Sequence, residues 1–191
     1  MRMSRGNIKL GDDTLVLNIT SAKDCPSERL GLCNICAICY AKKAERQYPT
    51  VLPFRRMQAV EFDAESAEVI ANGVRAEVVR SRSARCKKTP IKFLRFSESG
   101  DFKNQWDVNK LSRVAELLRG VVVVYGYTAR RDLRFTGLSK NMVVNGSGFM
   151  VDNMFSPVKK HTKTNYNCAG DCRGCGLCKT NSHKTIEVLL H

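Results

Sequence analysis

Eight of the nine cysteines in this 191-residue chain fall into two short runs, one near each end. Cys25, Cys33, Cys36 and Cys39 are spaced C-x7-C-x2-C-x2-C, and Cys168, Cys172, Cys175 and Cys178 are spaced C-x3-C-x2-C-x2-C. Such loops constrain the fold, because each must curl tightly enough to bring its sulfurs together. Pro26, Gly31, Gly170, Gly174 and Gly176 lie among the cysteines and permit that curling. Disulfides, zinc or an iron–sulfur cluster would each explain the crowding. At 43% hydrophobic, the chain can bury a core without covalent staples. The first twenty residues lack the apolar stretch and cleavage site of a secretory signal, which implies a reducing cytoplasm. Structural zinc sites usually join two separated C-x2-C knuckles or include histidine. Three cysteines at x2 intervals with a fourth nearby suit the wrapping of an iron–sulfur cubane, [4Fe-4S], with one or two clusters per chain. Zinc ranks second and disulfides third. Cys86, alone in a basic loop, reads as a non-ligand, and His161, His183 and His191 read as solvent-facing.

Between the cysteine groups the pattern is that of an α/β protein. "TLVLNIT" (14–20), "IKFLRF" (91–96), "VVVVYGY" (121–127), "NMVVNGSG" (141–148) and "TIEVLL" (185–190) read as strands. Residues 38–47 read as a helix, and 57–80 as one long helix or two short ones, with Asn72-Gly73 as the breaker. "WDVNKLSRVAELLRG" reads as a helix capped by Asp107 and stopped at Gly120, with Trp106 packed beneath it. This order predicts a mostly parallel sheet with crossover helices, open or a partial barrel, in a single domain over 1–191. Its cysteine loops are 25–39 and 168–178. Ligands of parallel sheets gather outside the carboxyl ends of the strands. There the sequence places "SAKDCP", "SESGD", "TARRD" and "NGSG", which nominate Arg95, Ser97, Glu98, Ser99, Asp101, Tyr127, Arg130 and Arg131 as pocket residues. A capped turn and a surface salt-bridge loop explain the same residues without a ligand.

The net charge of +14 favours a polyanionic partner such as nucleic acid, although it also serves solubility. Arg82, Arg85, Lys87 and Lys88 concentrate that charge in a run without acids. A redox partner protein would follow from an electron-transfer role. No stretch is apolar over 18 residues, which argues against a membrane span. The sequence carries no signal for oligomeric state.

"DCPSERLGLCNICAICYAKKAE", "RFSESGDF", "YGYTARRDL" and the final cysteine run resemble the phage "gene product 88" family of small cysteine-rich proteins. That resemblance implies a phage origin and the cytoplasm of an infected bacterium, and it names no activity. A weaker likeness is to radical S-adenosylmethionine (SAM) enzymes. In those, a cysteine loop ending in an aromatic follows the first strand of a (β/α) barrel; here Tyr40 follows Cys39. Their usual loop is C-x3-C-x2-C, which leaves one iron open for SAM, whereas each group here offers four thiolates. The sequence therefore favours an iron–sulfur protein in electron transfer, redox sensing or structural bracing. A radical SAM-like enzyme and a zinc-stabilised nucleic-acid-binding module remain as alternatives.

Overall fold

The computed structural model describes residues 2–83 and 85–190. In chain order the elements are β1 (Ser4–Arg5), β2 (Thr14–Leu17), α1 (Pro26–Arg29), a 3-10 turn (Cys36–Ile38), α2 (Tyr40–Gln47), α3 (Val51–Ala64) and α4 (Ala67–Ser81). There follow β3 (Phe93–Phe96), α5 (Gln105–Leu117), β4 (Val123–Thr128), β5 (Met142–Ser147), β6 (Asn153–Val158), β7 (Tyr166–Asn167), a second 3-10 turn (Leu177–Lys179) and β8 (Thr185–Leu189). The strands form one eight-stranded sheet in the order β1-β2-β3-β4-β5-β6-β8-β7. Only β1 and β2 pair antiparallel among the described residues. The sheet is open and mostly parallel, as the element order predicts.

Register decides what each face carries. Leu15, Leu94, Val124 and Met142 stand in one row, and Leu17, Phe96, Gly126 and Val144 in another. These rows face the apolar stripes of α4 (Ile70, Val74, Val78) and α5 (Val108, Leu111, Val114), which together form the core. Gly126 is required there, because a Cβ would sit 2.4 Å from the Phe96 ring. The intervening row, Val16, Arg95, Tyr125 and Val143, points to the opposite face, because successive side chains alternate across a strand. One face is thus an aliphatic core. The other presents a guanidinium and a phenol.

Local readings differ from the structure in several places. The helix break falls at Glu65-Ser66, where Ser66 Oγ accepts from Val69 N at 3.2 Å; Gly73 lies inside α4, held by burial of Ile70, Val74 and Val78. Asn104, not Asp107, caps α5, and Asp107 accepts from Lys103 N at 2.8 Å, so the two side chains serve opposite ends of one capping arrangement. Trp106 is 55% exposed with Lys110 Nζ 4.5 Å from its ring, so it shields a lysine instead of packing beneath the helix. β6, with Pro157 inside it, has no strand signal of its own and forms because β5 and β8 flank it. Ala84, in the basic run, and His191 lie outside the described residues.

Candidate functional site

The first cysteine group is hung from the carboxyl ends of β2, β3 and β4. Asp101 organises this edge. Its buried carboxylate accepts from Ser27 Oγ (2.6 Å), Thr128 Oγ1 (2.7 Å), Ala129 N (2.7 Å) and its neighbour Phe102 N (2.8 Å). Thr20 Oγ1 donates to the Asp101 carbonyl at 2.9 Å and accepts from Asp101 N at 2.8 Å. Gly100, at φ +69°, lets the turn approach Thr20; a Cβ there would meet Thr20 Oγ1 at 2.0 Å. Three loops distant in sequence are thereby tied together directly behind Cys25, which leads into α1 with Pro26 at its first position.

Burial pushes the Cys25 thiol up to about 11, and Asp101 and Cys33 add to the effect. Burial also pushes the Cys36 thiol up, with Cys33 and then Cys25 as the neighbouring sulfurs responsible. Cys25, Cys33 and Cys36 are thus neighbours. Cys39 stands at the N-cap of α2, and the next residue, Tyr40, reaches across the sheet edge. Its hydroxyl donates to the Glu98 carbonyl at 2.7 Å and accepts from Arg95 Nη2 at 3.2 Å. Below it, buried Arg55 holds α2 to α3 through Ala41 O (3.1 Å) and Glu45 Oε1 (3.0 Å). Glu45 also accepts from the backbone of Ala22 and Lys23 (2.7 and 2.9 Å) just before Cys25.

The second group crosses the polar face of the sheet. Cys168 N donates to Glu187 O at 2.8 Å, and Cys172 N donates to Lys9 O at 2.8 Å, so the segment runs from β8 across to the β1–β2 connection. Asn145 Nδ2 clamps it by donating to Cys178 O and Gly126 O, both at 3.0 Å. Asn153 Nδ2 donates to Asn145 Oδ1 (3.0 Å) and Thr180 O (2.9 Å). Lys179 lies beneath the loop, 4.0 Å from the Phe93 ring centroid, and donates to Cys172 O at 3.1 Å. Asn145, Asn153, Lys179 and Tyr125 carry no motif in the sequence; only the alternation of β4 and β5 hinted at which of them share a face.

Around the second group the side chains are aromatic and cationic. Arg95 lies 5.0 Å from the Tyr127 ring centroid, with Tyr40, Tyr125 and Glu98 as further neighbours. Burial raises the Cys178 thiol to about 11, with the Tyr127 hydroxyl pulling the other way and Cys168, Cys172 and Cys175 pushing it up. Burial also raises Cys172, and Arg95 works against that rise. The four sulfurs are electrostatic neighbours. Among the described residues, however, no three His, Cys, Asp or Glu side chains converge tightly enough to hold a single metal ion.

The other sequence-nominated residues separate by environment. Arg130 is buried and committed to Asp132 (2.7 and 2.8 Å) and to the Phe102 and Lys103 carbonyls (2.5 and 2.9 Å), so it braces the loop and is not free for a phosphate. Asp101 is equally committed. Arg131 is exposed and reaches Leu32 O, inside the first cysteine loop, at 3.2 Å. Ser99 is spent on Asn18 Oδ1 and Thr20 O (3.1 and 3.4 Å). Glu98 accepts from Asn7 Nδ2 at 2.6 Å and lies 3.8 Å from Arg55. Ser97 sits in the left-handed region at φ +51° with a buried hydroxyl that bonds nothing, a strained position at the strand end. Arg82, Arg85, Lys87 and Lys88 are exposed between α4 and β3, at the amino end of that strand and so away from the carboxyl-edge loops.

The gene product 88 family model matches residues 1–169. The chain belongs to that family. The gene product 88 match includes the first cysteine group and Cys168, and it ends before Cys172, Cys175 and Cys178. No curated protein and no solved structure matches the chain. No helix among the described residues is long and apolar enough to cross a membrane.

Proposed function

We propose that this gene product 88 protein binds iron–sulfur clusters, with Cys25, Cys33, Cys36 and Cys39 as one ligand set and Cys168, Cys172, Cys175 and Cys178 as the other, and that it serves electron transfer or redox sensing. The observation that carries the reading is the second group: the Cys178 thiol feels the sulfurs of Cys168, Cys172 and Cys175, on a sheet face that also presents Arg95 and Tyr127. Four clustered thiolates beside a cation suit an iron–sulfur cluster. The surroundings fit such a group: the Tyr127 hydroxyl faces Cys178, and Arg95 Nε is buried without a partner. When bound, a cluster would supply one-electron chemistry. The protein's part is to anchor the loops through Asp101, Asn145 and Asn153, to limit solvent access, and to offer donors to sulfur.

Anaerobic purification tests the reading. We expect iron and sulfide in the protein and broad absorption near ~400 nm that bleaches with dithionite. A colourless protein carrying zinc overturns it.

One observation favours a second reading. The first cysteine group follows β2, the first strand of the parallel sheet, and ends at Cys39, whose side chain makes no capping bond and is followed by the aromatic Tyr40. If only three of its four thiolates bound a cubane, one iron would stay open, as in radical SAM enzymes. Reductive cleavage of SAM to 5′-deoxyadenosine by the reconstituted protein separates this reading from simple electron transfer.

The exposed Arg82, Arg85, Lys87 and Lys88 supply a surface for nucleic acid in either case, in the cytoplasm of an infected bacterium. Binding whose affinity falls steeply with salt, and less steeply when these four are changed to Gln, is the expected outcome.

A further inference from the structure

The connection between β6 and β7 carries Lys159, Lys160 and Lys163, all exposed, and Lys184 stands immediately before β8. Among the described residues none of these four lysines lies in an ion pair. From residue 153 to 190 only Asp171 and Glu187 are acidic. Asp171 is taken by Arg173, whose Nε and Nη2 donate to it at 2.9 and 2.5 Å. Glu187 is 2% exposed and serves the β6–β7 loop itself. It accepts from Thr162 N (2.6 Å), Thr162 Oγ1 (2.7 Å) and Asn165 Nδ2 (2.7 Å). The carboxylate of β8 is thus spent on shaping the loop, and the lysines stay unpaired at the surface.

An aromatic completes this surface. Tyr166 follows Asn165 directly and opens β7, the edge strand of the sheet, where it pairs with Ile186. It is 48% exposed, and Lys184 Nζ lies 4.2 Å from its ring centroid. A paired backbone and a cation hold the ring in place while nearly half of the residue stays open to solvent.

Lysine binds phosphate as a point charge, and each phosphate neutralised releases a counterion. An exposed aromatic beside such charges takes up an unstacked base, because every base has a π-face. A duplex keeps its base faces inside the stack, so it would use the lysines and leave the ring idle. An acidic polypeptide offers charge without a base. Unpaired lysines next to a fixed, open tyrosine therefore favour a single strand over both.

We propose that the β6–β7 loop and Tyr166 form a binding surface for single-stranded nucleic acid, in which Lys159, Lys160, Lys163 and Lys184 hold phosphates and Tyr166 stacks on a base. The inference rests on the nucleic-acid reading and adds to it a second surface and a strand class. Arg82, Arg85, Lys87 and Lys88 lie in a different connection, between α4 and β3, and residues 82–88 include no aromatic. That run supplies charge alone.

The test is fluorescence anisotropy of the full chain with labelled oligo(dT), oligo(U) and a duplex of about twelve nucleotides, over a range of salt. Wild type should bind single strands more tightly than the duplex; the tighter of the two single strands tells DNA from RNA. Changing Lys159, Lys160 and Lys163 together to Gln should lower the slope of log K against log salt by about 2, from about 0.7 per contact on a single strand. Tyr166→Ala should weaken single-strand binding roughly five- to 150-fold and leave that slope unchanged. Tyr166→Phe, which keeps the ring, should restore most of the loss. Tighter binding of the duplex overturns the inference, and so does polyglutamate bound as tightly as the oligonucleotides, which points to an acidic protein partner. Single-strand binding that is unchanged in the lysine and Tyr166 variants, and falls only when Arg82, Arg85, Lys87 and Lys88 are changed to Gln, overturns the inference and leaves the nucleic-acid reading intact. Wild type that binds no nucleic acid at low salt overturns both.

Discussion

Ser27 Oγ donates to Asp101 Oδ2 at 2.6 Å, joining the turn after the first cysteine to the loop after β3 across 74 positions of sequence. The bond belongs to a carboxylate that also serves Thr128, Ala129 and Phe102. The first cysteine loop is therefore fixed by its neighbours' loops and not by its own short helix.

Asp101→Ala leaves Ser27, Thr128 and Ala129 with buried donors and no acceptor. We expect a loss of about 3 kcal/mol, read as a melting temperature lower by roughly 6–12 °C. Ser27→Ala should cost about 1 kcal/mol. A double-mutant cycle between the two should show coupling, because they share one bond.

Gly126→Ala drives a methyl group into the Phe96 ring, which lies 2.4 Å from the added carbon. The expected cost is about 1–3 kcal/mol in chemical denaturation. Placing the change on a Phe96→Leu background should recover part of that loss, since the smaller side chain can give way.

Asn145→Ala removes the bond that ties Cys178 O of the second cysteine segment to the sheet, along with its bond to Gly126 O in β4, and takes from Asn153 Nδ2 its acceptor Asn145 Oδ1. Stability should fall by about 1–3 kcal/mol. Limited proteolysis should cut within residues 168–180 faster than in wild type, with α4 and α5 still protected.

Cys175→Ala should lose the iron and sulfide assigned to the second group, whereas Cys86→Ala should retain the wild-type content. Cys86 accepts a hydrogen bond from Arg5 at 3.5 Å, in a loop between α4 and β3 far in sequence from either ligand set. Equal metal content in the two variants would contradict the assignment.

Much of the sheet was legible because a buried parallel strand needs a run of apolar residues. β3, β4, β5 and β8 each carry one. β1 and β7, two residues each, and the proline-containing β6 carry none; their conformation comes from pairing partners. The sequence allows one helix or two over 57–80; there are two, and they part at Glu65-Ser66 and not at Asn72-Gly73 because local propensity weighs less than burial of the α4 stripe. At the candidate site, the cysteines and the loops after each strand were visible as motifs. The commitment of Arg130 and Asp101 to bracing was not, because it depends on carbonyls and hydroxyls up to 74 positions away.

The sequence by itself determined that sulfur gathers at two places and that parallel strands present polar loops at one edge. Spacing and apolar runs are local properties, and they can be read from one stretch of chain at a time. Only the tertiary structure decided that the second cysteine segment returns across the sheet from β8 to Lys9, and that Arg95, Tyr125 and Tyr127 face it. That outcome depends on the register between neighbouring strands and on clamps such as Asn145, which acquire partners only when distant segments meet.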